Sequence, residues 1–173
     1  MKIIKELTDL EVIGNVIPKA KEDYRIRTAA RAIILDSQGN IAILSTSQLK
    51  VNYHKLPGGG LEDNEDIIKT LIREIREEVG CEIEILKEIG EIIEYKNDYN
   101  QKQTSYCFLA KVKGQIGATN FTKEEENVGF KLEWVTIEEA IRLFKESVPE
   151  DYTARFIRLR DYNFLLEAKR LLG

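Results

Sequence analysis

The segment Leu56–Cys81, LPGGGLEDNEDIIKTLIREIREEVGC, limits what this chain can fold into more than any other stretch. Pro57-Gly58-Gly59-Gly60 interrupts any regular element. Beyond it, apolar residues recur with helical spacing at Ile67, Ile68, Leu71, Ile72, Ile75 and Val79. Asn64 is expected to cap this helix, with Glu65 and Asp66 in the first turn and Gly80 as its stop. At about 100° per residue, Glu74, Glu77 and Glu78 share one face. Leu71, Ile75, Val79, Ile68 and Ile72 form the adjacent apolar face, and Lys69, Arg73 and Arg76 fill the remainder. The helix therefore has a side to bury, an acidic side and a basic flank.

The flanking sequence supplies strands. Thr28–Leu35 and Ile41–Thr46 bracket Asp36-Ser37-Gln38-Gly39-Asn40 and predict a β-hairpin. Cys81–Tyr95 alternates and predicts one bent strand or two; Gln103–Lys113 and Phe130–Val135 predict two more. Residues 1–24 are expected to form an opening strand or an arm, Lys96–Lys102 a polar loop, and Gly114–Asn127 a long connection or lid. Ile137–Lys145 should be a helix capped by Thr136, with Glu139 completing a capping box. A last helix over about residues 153–172 carries Ile157, Phe164, Leu165, Ala168, Leu171 and Leu172 on one side, for packing on the sheet or for a homodimer interface. Strands interleaved with helices predict an α/β fold, a mixed sheet covered by helices.

At 173 residues the chain suits one domain. A formal charge of −4 argues against a broad grip on nucleic acid. Two cysteines, Cys81 and Cys107, with no CxxC pair make a disulfide framework or a cysteine zinc site improbable and predict reduced core thiols. The N-terminal residues do not have the pattern of a signal peptide, and no run approaches the roughly 20 apolar residues of a membrane span. A cytoplasmic protein is expected.

Three carboxylates at i, i+3 and i+4 repel one another by a few tenths of a kcal/mol per pair, and a divalent cation removes that repulsion. Hard oxygen donors favour Mg²⁺, with Mn²⁺ as the alternative, over Zn²⁺. The glycine turn can approach an ion or phosphate closely. A diphosphate repels an incoming hydroxide; a carboxylate-held Mg²⁺ neutralises that charge and lowers the pKa of a water, whose proton a spare glutamate can take.

Gly59, five residues, Glu65, seven residues, then Arg73-Glu74-Ile75-Arg76-Glu77-Glu78-Val79-Gly80 resembles the Nudix box of the Nudix hydrolases, of the MutT type. Leu56-Pro57-Gly58-Gly59-Gly60 with Glu62, and Trp134-Val135 before Ile137–Ile141, resemble the family too. The box spans residues 59–81, and its last position holds Cys81 where the family usually has a bulky aliphatic. The resemblance implies an α/β/α sandwich with a mixed, partly antiparallel sheet. It implies Glu77 and Glu78 as metal ligands, Glu74 as ligand or base, the Gly58 carbonyl as a further donor, and Arg73 as an orienting group held by Glu65. The family's outlying acid would come from Glu124, Glu125 or Glu126, with Glu125 or Glu126 preferred.

Substrate contacts are expected from Arg27 and Arg31, with Arg25 of the same strand parity, and from Tyr53 and His54 before the glycine turn. The expected substrate is a small nucleotide-like molecule: a (deoxy)nucleoside triphosphate split to monophosphate and pyrophosphate. The alternatives are ADP-ribose or a nucleotide sugar, a dinucleoside polyphosphate, or a role as a non-catalytic metabolite sensor.

Overall fold

The computed structural model describes residues 1–46 and 53–173; the side chain of Glu124, one of the three candidate loop acids, lies outside the described residues. Strand β1 (Ile3–Leu7) and a short helix α1 (Asp9–Ile13) open the chain. They are followed by β2 (Arg25–Leu35), β3 (Ile41–Thr46) and β4 (Tyr53–Lys55), then the box helix α2 (Ile67–Glu78). Next come β5 (Glu82–Lys96), β6 (Gln101–Lys113), helix α3 (Lys123–Val128), β7 (Lys131–Val135), α4 (Ile137–Glu146) and α5 (Tyr152–Leu172).

The strands form one mixed sheet in the order β1-β5-β6-β2-β3-β4, with β7 on β3. At its centre β2 and β6 run parallel from the pair Arg25–Gln101 to Leu35–Lys111. β5 returns antiparallel along β6, with register shifts between Ile85 and Lys87 and between Glu88 and Gly90, so the expected bent strand is one bulged strand. The β2–β3 hairpin is present but pairs only at Leu35–Ile41; β3 then turns to β4 and β7.

Alternation along β2 separates two cores. Ala30, Ala32 and Ile34 face Leu71, Ile75 and Val79 of α2, with Cys81 and Phe108 beside them. Ile33 faces the opposite way, with Ile41, Ile43 and Leu109, towards Ala140 and Phe144 of α4 and Phe156, Phe164, Leu165 and Ala168 of α5. Helices thus cover both sides of the sheet, and the α/β/α sandwich expected from the sequence is borne out. Alanines at two of the three inward β2 positions let α2 lie close, and each fully buried Leu, Ile or Val contributes about 1.5–3 kcal/mol. Both cysteines are free and buried. No helix among the described residues is long and apolar enough to cross a membrane.

Several local expectations are corrected. The cap of α2 is Asp66, whose side chain accepts from the Lys69 N–H; Asn64 instead takes a left-handed turn conformation (φ 66°) just before it, which asparagine tolerates. Ile68 is 40% exposed, while its neighbour Ile67 packs against the core between α2 and the sheet. Thr136 caps α4 as expected, but Glu139 turns to Arg142. Lys96 and Lys102 belong to strands, joined by a 3-10 turn over Asn97–Tyr99. The Gly114–Asn127 connection is tied to the end of α2, with the Gly117 N–H donating to Gly80 O and the Asn120 N–H to Glu77 O. Helix α5 packs on the sheet, burying Phe156, Arg160, Asp161 and Phe164 and leaving Leu172 exposed.

Asp161 fastens α5 to the segment leading into the glycine turn: it accepts from the Leu56 N–H at 2.8 Å and pairs with Arg160 Nε at 2.7 Å. Replacing it strands a buried guanidinium and a buried amide. Asp161→Ala should lower unfolding free energy by about 3–5 kcal/mol in urea titrations; an unchanged midpoint would show that the contact carries no stability.

Candidate active site

The Pro57–Leu61 turn is laid along the free side of β2. The Ala32 N–H donates to Pro57 O at 3.0 Å, the Ala30 N–H to Gly59 O at 2.9 Å, and the Leu61 N–H to Thr28 O at 3.0 Å. Gly58 sits at φ 128°, and a Cβ there would strike the Ala30 carbonyl and lie 2.9 Å from Arg31 Cα. At Gly59 the obstacle is different: a Cβ would occupy the place of the Glu74 carboxylate. The turn and the acidic face of α2 therefore meet without intervening side chains.

Glu78 is fully buried, accepting from the Gly58 N–H at 2.6 Å and from Lys55 Nζ at 2.6 Å. Desolvation pushes its carboxyl up to about 7, against the pull of Lys55. Arg73 holds the rest of the row: Nε and Nη2 donate to Glu65 at 2.7 and 3.0 Å, and Nη1 reaches Glu74 at 2.8 Å and Glu77 at 3.3 Å. Partial burial raises the Glu77 carboxyl against the attraction of Arg73. Glu125 faces the row from α3, 3.4 Å from Lys55 Nζ, while its other oxygen completes a capping box with Thr122. Burial opposes ionisation of Glu125, but the Thr122 N–H and Lys55 outweigh it and hold its carboxyl below the usual range.

These groups line a cleft of about 470 Å³. Of the residues singled out from sequence, it brings together Arg27, Arg31, Tyr53, Gly58, Glu62, Arg73, Glu74, Glu77, Glu78 and Glu125. His54 does not line it: with Tyr53 and Lys55 directed to the cleft, strand alternation turns His54 to the opposite face, 5.7 Å from the Phe144 ring. There burial lowers its pKa. Glu126 is exposed and outside the cleft, and Arg25 bonds Gln101 on the outer part of β2. Tyr53 is nearly buried and packs edge-on against Phe130. Sequence reasoning missed Lys55, Lys96, Gln103, Phe130 and Arg160, all of which line the cleft.

The donor set suits a hard divalent cation: oxygens only, one carboxylate destabilised by burial, and protein cations lodged against the others. Among the described residues no three carboxylates close around one point, because Arg73 and Lys55 hold them apart.

A carboxylate row on α2 is thus set against a glycine turn on a mixed sheet. The NUDIX domain model matches residues 25–156, and the chain belongs to that family. The family expected from the box is thus borne out. Diphosphoinositol polyphosphate phosphohydrolase 2 from Mus musculus is 23% identical over 128 residues, covering 72% of this chain. Diphosphoinositol polyphosphate phosphohydrolase NUDT4B from Homo sapiens is 26% identical over the same length. The chain spans 65% of the length of each of these relatives. Among solved structures, a MutT protein from Methanosarcina mazei Go1 superposes with a TM-score of 0.63 at 17% identity, over 89% of this chain and 99% of that one. A C. elegans Ap4A hydrolase gives 0.58 at 17%, over 84% and 97%. These likenesses show the fold.

The two glycines should separate on substitution. Gly58→Ala meets backbone at positive φ and should cost stability, about 2 kcal/mol or more in thermal or urea melts. Gly59→Ala displaces only a side-chain carboxylate, so turnover should fall with little change in melting; equal losses in both would refute the distinction. Glu65 offers a pH test. Arg73 and then Thr70 hold its carboxyl at about 2, from an ordinary 4.5. A depressed carboxyl stabilises the fold above its unfolded pKa and loses that contribution as pH falls towards the folded one. The melting gap between wild type and Glu65→Gln should be widest above about pH 4.5 and close towards pH 2.

Proposed function

We propose that this chain is a Mg²⁺-dependent hydrolase that splits the diphosphate linkage of a small nucleotide-like metabolite. The first candidate is a (deoxy)nucleoside triphosphate, released as monophosphate and pyrophosphate. The observation that supports this most is the row Glu74, Glu77 and Glu78, joined by Glu125 through the shared Lys55 and abutting the Gly58–Gly60 turn. When bound, the cation would neutralise diphosphate charge and acidify a water. Glu77 and Glu78, with the Gly58 carbonyl, are our assignment for its ligands. Arg73 orients Glu74 and Glu77 through its two-sided contacts, and Glu65 fixes Arg73 in turn. Glu74 or Glu125 takes the proton as water attacks phosphorus and the anhydride P–O bond breaks. Arg27 and Arg31 face the same cleft and can bind phosphate oxygens of the substrate. Mn²⁺ fits the same oxygen donors.

The test is a substrate panel with Mg²⁺ or Mn²⁺: nucleoside triphosphates, ADP-ribose, nucleotide sugars, dinucleoside polyphosphates and a diphosphoinositol polyphosphate, with products resolved by chromatography. Glu78→Gln should cut turnover by about 100-fold or more. Its melting temperature in EDTA should hold or rise, because the substitution relieves a desolvated carboxylate. Near wild-type turnover in that variant, or no turnover by the folded wild type on any member, would overturn the proposal.

A further inference from the structure

On the floor of the cleft, beside the glutamate row, four cations converge from three elements: Arg27 and Arg31 of β2, Lys96 at the end of β5, and Arg160 of α5. Two carboxylates answer them from the same elements. Glu94 pairs with Lys96 at 2.9 Å and Arg160 at 3.5 Å, and Asp161 pairs with Arg160 at 2.7 Å. From the other wall Glu78 acts on Arg31 and Glu74 on both Arg27 and Arg31, while Arg73 and Lys55 are shared among Glu65, Glu74, Glu77, Glu78 and Glu125. Within the lobe itself four cations meet two carboxylates.

The donors are also fixed and short of acceptors. Arg160 is 1% exposed, and its Nη2 has no hydrogen-bond partner among the described residues; the same holds for Nε of the buried Arg31. Gln103 is committed to Glu94 and Ser105, which locks Glu94 in place behind the cations. A buried guanidinium N–H without an acceptor is costly, and an arriving anion repays it. Donors converging from β2, β5 and α5 suit a tetrahedral group with several charged oxygens better than a planar carboxylate, which a single guanidinium fork can satisfy.

We propose that this lobe is a phosphate subsite, separate from the glutamate row, that holds an additional phosphoryl group of the substrate beyond the scissile diphosphate. The selection of substrate rests on the hydrolase reading; the binding of phosphate does not. The subsite is tested on the full chain in EDTA and low salt, titrated with inorganic phosphate by calorimetry. Saturable one-to-one binding is expected, weakened about 10-fold or more in Arg27→Gln, whose exposed side chain can be replaced without unfolding, and lost in Arg160→Met. Thermal melts report whether Arg160→Met folds, and Arg27→Gln decides the matter if it does not. No saturable binding, or binding unmoved by Arg27→Gln, would overturn the subsite. Turnover with Mg²⁺ then distinguishes the sources of the phosphate. A loss of kcat/KM in Arg27→Gln at least about 10-fold larger on a diphosphate compound bearing a separate phosphate than on a nucleoside triphosphate supports the additional group. An equal loss on both means the lobe grips the scissile chain itself and overturns it. Phosphate binding without turnover on either compound would count against the hydrolase reading alone.

Discussion

The hydrogen bonds between β2 and the Pro57–Leu61 turn are what the remaining architecture depends on. They place a backbone segment with three successive glycines along the edge of β2 that the splayed hairpin leaves to it. The same strand offers small residues to α2 on one face and arginines to the cleft on the other. Shifting the register of β2 by one residue would exchange these sets, putting Arg27 and Arg31 against Leu71 and Ile75 and the alanines in the cleft. The long parallel pairing of β2 with β6 resists such a slip, because it would have to break along its whole length. Chemistry at the turn and packing of the helix are thus consequences of one strand register.

Burying charge around this frame is expensive, and the structure does it twice. Glu78 lies under the turn with one ammonium for company, and Glu94, Lys96, Arg160 and Asp161 form a second set beneath the floor. Buried ion pairs of this kind seldom stabilise a fold better than apolar side chains of similar size. Their value lies in orientation: desolvated groups with few rotamers present donors and acceptors at set positions before any substrate arrives. Burial lowers the pKa of Arg31 to about 10 but leaves it cationic at neutral pH, so the field on the floor persists. The cost is carried by the apolar cores on either side of the sheet, which the binary pattern of β2, α2 and α5 supplies.

Much of this was legible in the residues, for identifiable reasons. The apolar spacing of α2 and its glutamate row follow from helix geometry, and the contact between Arg73 and Glu65 was expected from the resemblance. The alternation of β2 put Arg27 and Arg31 on one side. His54 went astray because the last residues before the turn form strand β4, in which neighbours point opposite ways. Glu125 could be separated from Glu126 only once α3 existed, because a capping box rather than a charge pattern aims it. The floor of the cleft was missed although it left a trace. Arg160 occupies the stripe Phe156, Phe164 and Ala168 at helical spacing, and Glu94 and Lys96 share strand parity with buried Ile92. A charge at an apolar position of a periodic pattern is a buried charge, and buried charges need partners from elsewhere in the chain. Recognising that these three belong together required the sheet order, which no local pattern encodes.

That division also explains what similarity to other proteins can convey here. The relatives and solved structures compared above share 17–26% identity with this chain, and the NUDIX match, over residues 25–156, takes in the turn, the box helix and the strands that hold them. Those parts are constrained together, since the glycines, the small residues of β2 and the carboxylates must fit one another at contact distance. The floor is constrained differently. Glu94 and Lys96 sit near the end of β5 and Arg160 along α5, elements whose packing needs only an apolar face on most of their length. Of the residues set against β2 by β5 and α5, Arg160 and Asp161 lie beyond the matched segment, so the family match carries no information about them.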